Sequence, residues 1–237
     1  MLNIQPFIFN WNNQFEKVSK IEADLLTIFD KVNVINSDDN KTKDGWTNIG
    51  NESYFTKQFL TAIHMFDGDV FFHIQGDIEF NRWNELVESA KKYYDKYRWG
   101  IYAPNVDYTW YDSNNADIKA IEFTDYSNLK MVSNPDCTVW FIHKDIVNQL
   151  KNNPFDLSFN KMGWGLDLIL CANSYAQKRP VIRDYNYKVI HPRGTGYYQE
   201  EAAKEMMELI YKCTPEIQDI IHKIRFNKEE LSNYFRS

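Results

Sequence analysis

The chain has 237 residues, of which 43% are hydrophobic and 16% aromatic, and it carries a net charge of −6. That length buries a substantial core, and the composition excludes a chain dominated by disorder. The acidic balance argues against a surface that grips nucleic acid throughout, although basic stretches such as KKYYDKYR at 91–98 and HKIRF at 222–226 interrupt it.

No stretch approaches the roughly 18 consecutive apolar residues that span a bilayer. The opening MLNIQPFIFNWNNQF shows neither a basic leader nor a small-residue cleavage site, so a cytoplasmic chain is expected. Cys137, Cys171 and Cys213 are odd in number and lack C-x-x-C spacing, which fits buried thiols rather than a disulfide framework or a zinc site.

In chain order, IQPFIFNW reads as a strand, followed by helical spacing of Phe15, Val18, Ile21, Leu25 and Phe29, then a second strand at KVNVINSD. A polar loop, DDNKTKDGWTNIGN, leads to a helical stripe of Phe55, Phe59, Ile63 and Phe66, with a cap expected near Asn51 or Ser53. DVFFHIQ is a near-continuous apolar run, as expected of a strand covered on both faces. Trp83, Leu86, Val87, Ala90 and Tyr94 predict another helix, and RWGIYAPNV a fourth strand.

Between 105 and 143 the pattern changes. IKAIEFTD, LKMVS and CTVWFIH are strand-like pieces with no helices between them, which predicts antiparallel or mixed pairing. KDIVNQLK and GLDLILCANSYAQK read as helices, and PVIRDY and YKVIH as two strand pieces. Residues 199–226 read as two amphipathic helices broken at Thr214-Pro215. The alternation of strands and helices defines an α/β protein with a mostly parallel central sheet.

Three constellations carry chemistry. HIQGDIEF places Asp77 and Glu79 just beyond a buried strand, where ligands of open α/β sheets bind. Asp77 suits a divalent cation shared with phosphates, while a plain Gly-Asp turn would use the same residues. NKMGWGLDLIL puts Asp167 in the first turn of a helix, where the dipole favours the ionised carboxylate that a general base requires. The same acid serves as an ordinary helix-start residue. YNYKVIHPRGTGYYQE sets His191, Arg193 and Thr195 among two glycines at a strand end, a set suited to metal and diphosphate or, more plainly, to a glycine turn.

Taken in order, these pieces resemble the GT-A glycosyltransferases, particularly the family-2-like members that use nucleotide-diphosphate sugars. The matching elements are the strand-helix-strand unit ending in NSDD, the D-x-D-type strand end at QGD, the W-G-x-D helix start at GWGLD, and the late strand with HPRGTGY. The match runs over about 190 residues by order of elements.

The resemblance implies a single GT-A-like domain over 1–237. Its nucleotide-sugar half would cover 1–104, its acceptor and catalytic half 105–196, with C-terminal helices from 197. It implies a divalent metal, Mn2+ or Mg2+, held by Asp77 and His191, and a catalytic base at Asp167. The donor, UDP-linked by expectation, would meet Asn10, Asp38, Trp46, Asn48, Gln75, Arg193 and Thr195, with Gln75 replacing the first acid of the D-x-D motif and Glu79 a displaced candidate for that role. Trp110, in DYTWYD, and Trp164 would face the acceptor. The composition also resembles phage-encoded enzymes, among them transferases that glycosylate hydroxymethylated DNA bases. A surface glycan is the competing acceptor, and a non-catalytic sugar-nucleotide-binding protein the competing class. A nucleotidyltransferase would show a Gly-rich basic loop after the first strand, which FNWNNQFEK lacks.

Overall fold

The computed structural model describes residues 2–51, 53–107, 117–118, 123, 128–152, 157–192 and 197–236. The strands are β1 (Ile4–Asn10), β2 (Asn33–Asn36), β3 (Thr47–Asn48), β4 (Val70–Gln75), β5 (Ile101–Val106), β6 (Asp117–Ile118), β7 (Leu129–Val132), β8 (Val139–His143) and β9 (Val181–Val189); all but β3, which lies in the expected polar loop, fall in the predicted strand segments. They join one sheet in the order β3-β2-β1-β4-β8-β5-β9-β7-β6. β1, β2, β3 and β4 run parallel, so Asn10, Asn36 and Gln75 end at one edge. The pieces PVIRDY and YKVIH are one strand: β9 pairs parallel with β5 through a register shift at Pro104/Asn105, where proline has no N–H to give the ladder.

The antiparallel section predicted for the middle of the chain is present at β6, β7 and β8. β8, however, inserts between β4 and β5, antiparallel to both. Because it runs backwards, its first residues lie at the edge where β4 ends. Gln75 N–H donates to the Thr138 carbonyl at 2.8 Å.

Both faces of the sheet are covered, which is why β4 reads as a continuous apolar run. Phe71 stacks on Phe7 at 4.7 Å on one face, and Phe72 stacks on Phe141 at 4.0 Å on the other. Each is fully buried, worth about 1.5–3 kcal/mol relative to exposure. α1 (Phe15–Leu25) and α3 (Trp83–Tyr97) cover the second face. α2 (Phe55–Met65), α4 (Lys144–Asn152), α5 (Leu166–Ala176), α7 (Pro215–Phe226) and α8 (Lys228–Arg236) contribute to the core on the first, and α6 (Gln199–Lys212) also packs there.

Thr214 caps α7, accepting from Ile217 N–H, with Pro215 in the first turn, as predicted. The cap expected for α2 is different. Tyr54 occupies the cap position without a side-chain bond, and Ser53 Oγ instead donates to the Ile49 carbonyl at 2.8 Å. The free N–H of Thr56 is met from another part of the chain, by the Lys161 carbonyl at 3.2 Å, so the loop before α5 replaces a local cap.

That loop is built tightly. Gly163 (φ +81°) leaves no room for a side chain: a Cβ would lie 2.3 Å from Phe55 Cδ1. Gly163→Ala combines left-handed strain with overpacking and is expected to cost about 2–4 kcal/mol. Chemical denaturation is the check, and a midpoint equal to wild type would contradict this packing.

Candidate active site

Asp77, Asp167 and His191 come from three distant segments and converge at the edge where the parallel strands end. Gly76 permits the first step. A Cβ there would sit 2.5 Å from the Phe9 carbonyl oxygen, so only glycine lets the turn after β4 lie against β1. Past the turn, Glu79 and Ile190 pair as an antiparallel bridge, N–H to carbonyl at 2.9 and 3.1 Å. That bridge fastens the end of β9 to the QGD turn. It brings His191 Nε2 to 3.7 Å from Asp77 Oδ2.

Asp77 does not cap a helix, since α3 begins at Trp83 with Arg82 at its cap position. Its Oδ1 is buried and has no hydrogen-bond partner among the described residues. Burial pushes the carboxyl above its ordinary value, with His191 and Lys17 pulling the other way. An unsatisfied carboxylate oxygen beside an imidazole nitrogen fits a divalent cation, because Mn2+ and Mg2+ take oxygen ligands and Mn2+ accepts imidazole as well. Among the described residues no group of three or more His, Cys, Asp or Glu surrounds one point. Glu79 is not the missing first acid: its side chain is exposed and pairs with Lys17 at 3.2 Å. Gln75, in the position of that acid, turns its amide toward Cys137 Sγ at 3.9 Å.

The predicted donor residues divide into two groups. Asn10 Nδ2 donates to Asn36 Oδ1 at 2.6 Å, and Asn36 Nδ2 donates to Asn48 Oδ1 at 2.7 Å. This amide chain links the ends of β1, β2 and β3, and it leaves Asn10 Oδ1 buried without a partner. Asp38 lies beside it, its Oδ1 accepting from Asn40 N–H at 2.9 Å. Trp46 is a correction. It lies in the core, its indole N–H donating to Glu22 of α1 at 3.1 Å and its ring against Phe15. Arg193, Thr195 and Trp110 lie outside the described residues.

Asp167 is 9% exposed in the first turn of α5, and its Oδ1 accepts from Gly165 N–H at 3.2 Å. Gly165 (φ +92°) makes that return possible. Trp164 is half-buried, and its indole N–H donates to Tyr197 OH at 2.8 Å. Tyr197 thus ties the segment after His191 to the start of α5, a link that no sequence pattern signalled.

Asp136, in the segment entering β8, was also missed. Burial, then the neighbouring Asp167 charge, pushes its carboxyl up to about 7, with buried Arg183 opposing and Asp77 adding to the rise. NPDC reads as a turn in sequence, and Asp136 acquires meaning only from the reversed direction of β8. A carboxyl raised in the folded state contributes stability below its ordinary value near 3.8 that is lost as pH rises through about 7. Asp136→Asn should remove that loss. At about pH 8 the variant should melt higher than wild type, by about 2–4 °C for each kcal/mol regained, and the curves should converge toward about pH 4. Melting curves that stay parallel at every pH would contradict the assignment.

The α/β sheet with a reversed strand beside β4 is similar in fold to solved GT-A-type glycosyltransferases. No family model and no curated protein matches the sequence. Among solved structures, GalNAc-T7 with UDP, GalNAc and Mn2+ is similar over 99% of this chain and 54% of its own, with TM-score 0.65 and 13% identity. S. aureus TarS (residues 1–349) in complex with UDP-GlcNAc is similar over 95% of this chain and 72% of its own, with TM-score 0.58 and 10% identity. The mannosyltransferase PcManGT from Pyrobaculum calidifontis, with GDP-Man and Mn2+, is similar over 99% and 73%, with TM-score 0.57 and 10% identity.

Proposed function

We propose that the chain is a metal-dependent, inverting glycosyltransferase that moves a sugar from a nucleotide diphosphate, UDP in the first instance, to an acceptor hydroxyl. The observation that carries this reading is the pairing of Asp77 with His191, 3.7 Å apart at the strand ends, with one carboxylate oxygen buried and unsatisfied among the described residues. The solved neighbours support it: TarS is in complex with UDP-GlcNAc, GalNAc-T7 with UDP and Mn2+, and PcManGT with GDP-Man and Mn2+.

Asp77 and His191 would hold the metal, which when bound supplies positive charge to the diphosphate as its bond to the sugar breaks. The amide chain of Asn10, Asn36 and Asn48, with Asp38, would take the nucleoside at the neighbouring strand ends. Arg193 and Thr195 are assigned to the diphosphate by the sequence motif. Asp167 would accept the proton of the attacking hydroxyl. Trp164 would give that acceptor an apolar face, with Trp110 assigned the same role from sequence. Attack from the side opposite the leaving diphosphate needs no enzyme nucleophile and inverts the anomeric centre.

The acceptor is a hydroxyl of a modified DNA base in the favoured reading, with a surface glycan as the competing one. The direct test is release of nucleoside diphosphate from a panel of UDP- and GDP-sugars with Mn2+ or Mg2+, with and without hydroxymethylated DNA or glycan acceptors. Turnover that requires metal is expected. No hydrolysis or transfer with any common donor would overturn the reading.

A further inference from the structure

A groove of about 620 Å³ opens on the face of the molecule beside α1, separate from the strand-end site. It is walled by α1, by residues 78–82 leading into α3, and by the end of β9. Four cations line it, Lys17, Lys20, Arg82 and Lys188, against two carboxylates, Asp24 and Glu79. Two of the cations are already met, Lys17 by Glu79 at 3.2 Å and Arg82 by Glu85, which leaves Lys20 and Lys188 facing Asp24. Lys20 and Lys188 are exposed and have no ion-pair or hydrogen-bond partner among the described residues. In a chain of net charge −6, unpaired cations concentrated around one concavity focus a positive potential there.

The groove is not purely ionic. Ile190 is 44% exposed on its wall, and the Phe80 ring is half-buried beside it, packed edge-on against Trp83 at 4.8 Å. Cations alternating with aromatic and aliphatic surface are the combination that follows a phosphodiester backbone and receives its bases. The Glu79–Ile190 bridge is the partition between the groove and the strand-end site. Asp77 precedes that bridge by two residues and His191 follows it by one, so the wall of the groove is continuous in sequence with the acid-histidine pair.

We propose that this groove binds the phosphate backbone of a single-stranded or locally opened nucleic-acid acceptor. The inference gives the acceptor of the proposed glycosyltransferase a chemical class and rests on that reading for its role in turnover, though binding itself is measured without turnover.

The test is fluorescence anisotropy of a labelled single-stranded oligothymidylate, titrated with the intact chain over a range of salt concentrations. Wild type is compared with Lys20→Ala/Lys188→Ala. The double variant should bind more weakly, and its salt slope should fall by about 1.4, the value expected for two lost phosphate contacts on a single strand. Its affinity for UDP with Mn2+ should match wild type, which shows the variant to be folded. Equal slopes and affinities for the two proteins would overturn the proposal, as would a neutral glycan binding in place of the oligonucleotide. A chain that binds oligonucleotide through these lysines yet turns over no sugar nucleotide would keep this inference and lose the catalytic reading. One that transfers sugar but does not distinguish the variants would do the reverse.

Discussion

Asp167→Asn is expected to lower kcat by about 10²–10⁴-fold, the usual contribution of a positioned general base, while leaving donor affinity nearly unchanged. The substitution suits the question because an asparagine oxygen can still accept the Gly165 N–H that Asp167 Oδ1 now accepts at 3.2 Å. The loop before α5, with its glycines at φ +81° and +92°, should therefore keep its shape. Donor binding is read by titration with UDP and Mn2+, and turnover by nucleoside diphosphate release at saturating donor. An unchanged rate would remove Asp167 from the mechanism. A loss of donor affinity equal to the loss of rate would make it a binding residue instead.

Asp77→Asn should act on the other half of the site and in a different way. Its Oδ1 is buried without a partner among the described residues, and burial already holds the carboxyl above its ordinary value, so the native side chain is costly to the fold without a cation. Neutralising it should leave the metal-free melting temperature equal to or higher than that of wild type. Metal-dependent affinity for the nucleotide should fall by at least about 10–100-fold, since even residues that only orient metal ligands reach that range. The opposed directions separate a ligand from a structural residue. A variant that melts lower and binds nucleotide as before would mark Asp77 as part of the turn alone.

Much of the sheet was legible because both of its faces are covered. VFFHIQ and IQPFIFN leave no polar face, and such runs mark buried strands directly. The position of β8 was not legible, since side-chain periodicity records which faces are buried and not which strand lies alongside. That one gap concealed Asp136, which stands beside the site only because β8 enters from the strand-end edge. α8 escaped notice for a simpler reason: its sequence KEELSNYFR is mostly charged or polar and buries little beyond Leu231 and Ser232.

Positions on strand ends and helix starts were easier to locate from sequence than positions on loops. Asp77, His191 and Asp167 follow apolar runs or glycine turns that fix where they stand. Trp46 sits in a polar loop, where an aromatic ring serves equally as a ligand platform or as a core plug, and the indole bond to Glu22 makes it the latter. Asn36 was passed over because an asparagine at a strand end is common turn chemistry. Its place between Asn10 and Asn48 emerges only when three strands are set side by side.

The central claim is that Asp77 and His191 together hold one divalent cation at the diphosphate. Its most direct test is a crystal structure of the chain with UDP and Mn2+, using the anomalous signal of manganese to locate the ion. The account predicts one ion contacting an Asp77 oxygen, His191 and the diphosphate. An ion bound away from either residue, or UDP bound with no ion between it and Asp77, would contradict it.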